Sequence, residues 1–204
     1  MIATDWTSWL GLTAAAGAML LALPGIRRAP RAAKLVLLAA VAGLGLLPLH
    51  GLPLFGYVRA LTGDLSVATV VLAITAILGG VGAAPRVDSA DRNTLLAIVV
   101  VLAVVLYPMA LGIGRLDPYR LGYGDPLFVA AVVLLALGAW WRRLDLVGVT
   151  LALAVLGWTV GWSESTNLWD YLIDVAVVLY ALIALVIAGL GRILRTDPRR
   201  DRAA

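Results

Sequence analysis

The sequence has 204 residues, of which 62% are hydrophobic and 14% charged, with 16 Lys and Arg, 12 Asp and Glu, one His and no Cys. Soluble domains carry about a quarter charged residues, and disordered chains are poor in apolar ones, so this composition excludes both classes. The lack of Cys excludes disulfides, Cys-ligated metals and thiol catalysis, and a single His excludes sites that need two imidazoles. The remaining class is a polytopic membrane protein.

Seven apolar windows follow one another along the chain, each bounded by a charged or turn-rich break. They cover residues 9–24, 35–54, 65–84, 94–113, 126–141, 146–161 and 171–190. A transmembrane helix needs about 20 apolar residues, and a backbone in lipid must satisfy its own hydrogen bonds, so each window predicts a helix. We therefore expect an all-α bundle of about seven transmembrane helices in one domain, residues 1–191, with a basic cytoplasmic tail at 192–204.

The basic residues indicate an orientation. A break is numbered by the window that it follows. All of the basic residues lie in the first, third and fifth breaks and in the tail, except Arg59 in the second break and Arg115 and Arg120 in the fourth. Because cytoplasmic loops attract Lys and Arg, the C-terminus is predicted inside and the N-terminus outside. Asp5 comes before the first window and no basic residue does, which favours a retained helix over a signal peptide. The preference for Arg over Lys favours a bacterial inner membrane.

The centres of the predicted helices contain few ionisable side chains. The third to sixth windows contain no ionisable acid or base, which argues against a proton-coupled transporter or a voltage sensor. We find no nucleotide-binding or hydrolase motif, expect no metal or cofactor, and see no nucleic-acid-binding surface. His50 is interpreted as structural. Pro48, Pro53 and Pro108 are expected to kink the second and fourth helices near their outer ends.

The candidate functional residues lie in the second, fourth and sixth breaks, which are predicted to face outward. Arginines could bind a phosphate or sugar acid, carboxylates could bind sugar hydroxyls, and aromatic rings could stack on a ligand. The candidates for binding a substrate or partner are Arg59, Arg115, Arg120, Tyr119, Tyr123, Trp162, Asn167, Trp169 and Asp170. The acid–base candidates are Glu164, Asp117 and Asp174.

Some of these residues, and other acids in the same breaks, also have a structural interpretation. Asp64, Asp125 and Asp170 each precede an apolar window and are predicted helix N-caps. Trp162 and Trp169 fit an interfacial aromatic belt. Asp174, partly in lipid, is expected to pair with an Arg of the fourth break. The stretches 63–66, Gly-Asp-Leu-Ser, and 116–120, Leu-Asp-Pro-Tyr-Arg, resemble short sequence signatures.

Three functions remain open. The first is a non-catalytic subunit or accessory factor of a complex that makes envelope lipid or polysaccharide, with a membrane or periplasmic protein partner. It is favoured because the sequence carries no catalytic motif. The second is an enzyme that acts on a lipid-linked or phosphate-bearing substrate, lipid or glycan, at the outer leaflet. The third is a transporter of a small lipid or solute through a lateral cleft between the helices.

Overall fold

The computed structural model describes residues 3–113 and 117–195, so Arg115 and the last nine residues of the predicted tail lie outside the described residues. The described chain is all-α apart from one short hairpin. Its helices are α1 (Ala3–Ala22), α2 (Pro24–Arg27), α3 (Arg31–Gly45), α4 (Leu54–Thr62), α5 (Val67–Gly80), α6 (Ser89–Ala110), α7 (Pro126–Trp141), α8 (Asp145–Thr159), α9 (Trp169–Leu172) and α10 (Val175–Arg195). A 3-10 helix covers Pro118–Tyr123.

Each of the seven apolar windows contains a helix, which confirms the prediction of a helical bundle. Among the described residues, α6 is the one helix long and apolar enough to cross a membrane by itself. Its 22 residues rise about 33 Å, slightly more than a hydrocarbon core. The apolar helices α5, α7 and α8 have 14, 16 and 15 residues. The number of spans therefore stays a prediction.

The helices pack around α8, which contacts α5, α6 and α7. On one side α1 packs against α3 and α5, and on the other α10 packs against α6. Small residues at these crossings, such as Ala68 and Ala154, are fully buried and let the helix backbones approach closely. Leu96 and Val99 of α6 fill the space beside them. The core thus lies between α5, α6, α8 and α10.

The predicted helix caps are partly wrong. Asp125 caps α7 as expected, because its Oδ1 accepts hydrogen bonds from Leu127 N and Phe128 N, both at 2.9 Å. The cap of α5 is Ser66 rather than Asp64. The cap of α10 is Asp174, which accepts a bond from the third residue of the helix, whereas Asp170 lies inside α9. The cause is that both helices begin later than their windows suggest.

Pro48 and Pro53 follow the end of a helix instead of bending it, so the predicted kink of the second helix is wrong. Helix α3 stops at Gly45, and a hairpin follows, formed by β1 (Pro48–Leu49) and β2 (Leu52–Pro53). Its turn is His50 and Gly51, with φ of 46° and 92°, the pattern of a type I′ turn. The His50 side chain is exposed at this turn, and its structural interpretation stays a prediction. Pro108 lies within α6, which continues to Ala110.

Candidate functional site

The second, fourth and sixth breaks meet around one cavity of about 690 Å³ at the same end of the bundle. We call it the polar cavity. Its walls come from α4, the α4–α5 link, the end of α6, the 3-10 helix and the chain from 163 to 175. Its charged and phenolic lining residues are Arg59, Asp64, Tyr107, Tyr119, Glu164, Asp170 and Asp174. Segments more than 100 residues apart in the chain thus form one site.

Arg59 lies at the centre of an ionic cluster beside the polar cavity. Its Nε is 2.7 Å from Asp64 Oδ1, its Nη1 is 2.9 Å from Asp5 Oδ1, and its Nη2 is 2.8 Å from Glu164 Oε1. Burial alone would lower the pKa of the Arg59 guanidinium, but the hydrogen bond and charge of Asp64 and the other carboxylates outweigh burial and raise it. One fully charged cation therefore joins α1, α4, the α4–α5 link and the α8–α9 loop.

Asp64 is the most heavily hydrogen-bonded acid of this cluster. In addition to Arg59, it accepts a bond from the Ser8 hydroxyl and a 3.0 Å bond from Glu164 N. Burial would raise the pKa of the Asp64 carboxyl, but these donors stabilise the carboxylate more strongly and hold its pKa below the ordinary 3.8. The carboxylate is therefore a structural acceptor, not a proton donor near neutral pH.

The lowered pKa of Asp64 predicts a pH dependence of stability. A carboxyl whose folded pKa is depressed stabilises the fold above its unfolded pKa, about 3.9, and this contribution is lost as pH falls through the folded value. We expect the melting temperature of the protein in detergent to fall below about pH 4, and Asp64→Asn to remove part of that fall while lowering stability at pH 7. Asp117→Asn, which replaces an exposed acid outside the cavity, should keep the full fall in melting temperature at low pH. Identical pH profiles for all three proteins would contradict the prediction.

Asp170 and Tyr119 form a second polar pair in the cavity wall. Tyr119 Oη donates to Asp170 Oδ2 at 2.9 Å, and Ser165 Oγ donates to the same oxygen at 2.5 Å. Burial and the neighbouring carboxylate raise the pKa of the Tyr119 phenol well above its ordinary value, so it stays neutral and donates. Asp170 was predicted to bind a ligand or cap a helix; it lines the cavity and fixes the 3-10 helix to the loop before α9.

Asp174 connects the starts of two helices. Its Oδ2 accepts bonds from Ser66 N and Thr69 Oγ1, both at 2.6 Å, and its Oδ1 accepts a 2.7 Å bond from Val177 N. The predicted ion pair between Asp174 and an arginine is absent from the described residues. Asp174 reaches its partners on α5 because its position before α10 lies beside the start of that helix.

Asn167 and Trp169, two of the predicted binding residues, are buried behind the residues that line the polar cavity. Asn167 donates from Nδ2 to Tyr119 O at 2.9 Å and accepts from Trp169 N at 3.0 Å. Trp169 donates from Nε1 to Pro118 O at 3.0 Å, and its ring lies 4.6 Å from that of Phe128. As placed, both side chains support the 3-10 helix rather than reach the cavity.

Gly122 fits between these two buried side chains only because it has no Cβ. A methyl group there would overlap Asn167 Oδ1 and come within 2.7 Å of Trp169 Cδ1. Both groups are held by hydrogen bonds and cannot yield, so we expect Gly122→Ala to lower the free energy of unfolding by about 1–3 kcal/mol, measured by thermal unfolding in detergent. Gly138→Ala in α7 is the matched control, since nothing lies within 4 Å of its added methyl. Equal stability of the two variants would contradict this packing.

The other candidates lie outside the cavity lining. Asp117, Arg120 and Tyr123 are exposed on or beside the 3-10 helix, and Trp162 is partly exposed after α8. Arg120 thus lies apart from the cavity, and Arg115 lies outside the described residues, so the phosphate clamp predicted from these two arginines stays a prediction.

Sequence reasoning missed the hydroxyl donors Ser8, Thr69 and Ser165, which hold the cavity acids. Short hydroxyl side chains are common in the windows and breaks, so composition alone does not single these out. Among the described residues, no three potential ligands are grouped to hold a metal ion. The site is a closed hydrogen-bonded frame around a cavity, with acids as acceptors, and its geometry is suited to binding.

Comparison of the chain with models of protein families, with curated proteins and with solved structures finds no match. A fold alone would not define a function in any case. The function therefore has to follow from the polar cavity and the helix surfaces.

Proposed function

We propose that the chain is a polytopic membrane protein with about seven spans and with the polar cavity on the outer side of a bacterial inner membrane. The main support is the large apolar surface of the helices. Leu134, Trp141 and Ile187 are 67%, 89% and 65% exposed, and many other large apolar side chains on α6, α7 and α10 are exposed as well. Soluble monomers rarely expose a contiguous apolar patch above a few hundred Å².

The short helices are compatible with this placement. A helix of 14 to 16 residues rises about 21–24 Å, less than the usual hydrocarbon core. Such a helix is accommodated by local thinning of the bilayer or by interfacial side chains at its ends. Trp140 and Trp141, followed by Arg142 and Arg143, supply such an end for α7. The arginine pattern of the breaks supports the placement of the cavity on the outer side.

We further propose that the protein is a non-catalytic accessory subunit of an envelope-biogenesis complex, and that it engages a membrane or periplasmic partner at the cavity end. One observation carries this: the carboxylates Asp64, Asp170 and Asp174 each accept at least two hydrogen bonds from the protein itself. Acids held in this way are poor proton carriers but keep a binding surface rigid. Glu164 is exposed and pairs with Arg59, so its carboxylate is the one held least firmly by the protein.

Site-specific photo-crosslinking in cells of the native host tests the proposed role. A benzophenone side chain would be placed at Thr166, exposed beside the cavity, and at Ser89, exposed at the opposite end of the bundle. The proposal predicts a discrete protein adduct from Thr166 and not from Ser89, and co-purification of the same partner at a fixed ratio by native mass spectrometry. A monodisperse protein without an adduct at Thr166 would contradict it.

A further inference from the structure

We propose that the polar cavity binds an ammonium group, carried by an amine-bearing lipid or by a water-soluble amine. This inference rests on the proposed function, because it requires the cavity to face the outer membrane surface. It rests on three features of the cavity: its charge balance, its aromatic walls and its apolar floor.

The charge balance of the lining excludes an anion and favours a cation. Four carboxylates line the cavity, from Asp64, Glu164, Asp170 and Asp174, against a single arginine. Arg59 is not free to bind a ligand anion, because its guanidinium already contacts three carboxylates, including Asp5 outside the lining. A phosphate or sugar acid would therefore meet uncompensated negative charge. An ammonium group carries three donors and no acceptor, which matches a lining made of acceptors.

Two carboxylates of the lining are candidates to accept from such a donor. Glu164 has a side chain 65% exposed and makes its ion pair with Arg59 through Oε1. Asp170, in α9, lines the same cavity. Tyr119 and Tyr107 add aromatic surface, and the face of a phenol ring attracts an ammonium group. The Tyr119 hydroxyl is engaged with Asp170, and Tyr107 and Tyr119 both line the cavity.

The floor of the cavity is apolar and reaches the membrane-facing part of the bundle. Leu106, Ala110, Ile173 and Val175 line it, at the end of α6 and the start of α10. The cavity lies between α4, which packs against α1 and α3, and α6, which packs against α8 and α10. An amphipathic amine can place its charged group among the acids and its hydrocarbon along this floor.

Native mass spectrometry of the whole protein in an uncharged detergent tests the proposal. The protein would be titrated with phosphatidylethanolamine, with phosphatidylglycerol and with an uncharged glycolipid of the same chain length, and separately with spermidine. We expect the aminolipid to bind about tenfold more tightly than the other lipids, and Glu164→Gln combined with Asp170→Asn to remove that preference. Asp117→Asn, an exposed acid outside the cavity lining, should retain it.

The arms of the experiment separate the outcomes. Displacement of the aminolipid by spermidine would show that a soluble amine suffices, and no displacement would show that the lipid is required; either supports an ammonium site. Equal binding of the three lipids, or tighter binding of the glycolipid, would overturn it. If the double variant does not fold, Glu164→Gln alone serves, since its side chain is mostly exposed. Retention of the Thr166 crosslink with equal lipid binding would refute this inference and leave the proposed function standing.

Discussion

Replacing Arg59 by Gln is expected to lower the free energy of unfolding by about 3 kcal/mol, the lower end of the effect of removing one partner from a buried ion pair, because this pair is part-buried. The side chains of Arg59 and Asp64 are each 16% exposed, so solvent screens their interaction little. Without the guanidinium, the carboxylates of Asp64 and Glu164 would lose the cation that they share with Asp5. Most of the effect is assigned to Asp64, because the Glu164 side chain is largely exposed.

Thermal unfolding in detergent measures this effect, with Arg120→Gln as the control. Arg120 is exposed and forms no ion pair within the described part of the chain, so its replacement should change stability by less than about 0.5 kcal/mol. Adding Asp64→Asn to Arg59→Gln should recover part of the loss, because the unpaired buried charge is removed. If Arg59→Gln and Arg120→Gln have the same melting temperature, the ionic cluster does not stabilise the fold.

Asp91→Ala is expected to have the second largest effect, about 2–3 kcal/mol, at the opposite end of the bundle. Asp91 lies near the start of α6 and is 7% exposed. Its Oδ2 accepts a 2.7 Å bond from Leu146 N, and its Oδ1 a 3.3 Å bond from Val147 N. It therefore caps the N-terminus of α8 from another helix. Alanine would leave two helix donors without a partner in an apolar environment.

The matched control for Asp91 is Asp88→Ala, three residues earlier. Asp88 is exposed and precedes α6 without capping it through its side chain. Both variants lose one negative charge at the same end of the bundle, so a difference in melting temperature isolates the interhelical cap. Equal melting temperatures would mean that the bonds from Leu146 and Val147 contribute nothing measurable.

The positions of the helices could be predicted from the sequence, because the apolar windows are long and uninterrupted. Their ends could not. Asp64 and Ser66 lie two residues apart and both suit a helix start, and the choice between them depends on Arg59 and Ser8, which engage Asp64 from elsewhere in the fold. Asp125 was predictable because Pro126 follows it directly and fixes the first turn.

The candidate site was predictable in outline for a similar reason. The alternation of charge between the breaks groups the second, fourth and sixth on one side, and this is where the polar cavity forms. The pairings inside it join residues far apart in the chain, such as Arg59 with Glu164, and no local pattern specifies them. Asn167 and Trp169 were predicted as ligand contacts because polar and aromatic residues in a break suit either binding or burial.

Cysteine labelling in intact cells tests whether the polar cavity lies on the outer side of the membrane. The natural sequence has no Cys, so single cysteines report without background. Thr166→Cys, exposed beside the cavity, is predicted to react with a membrane-impermeant maleimide before lysis, and Ser89→Cys, exposed at the opposite end, only after lysis. Labelling of Ser89→Cys before lysis, with protection of Thr166→Cys, would reverse the orientation and contradict the outward placement of the cavity. Labelling of both cysteines before lysis would contradict the membrane topology itself.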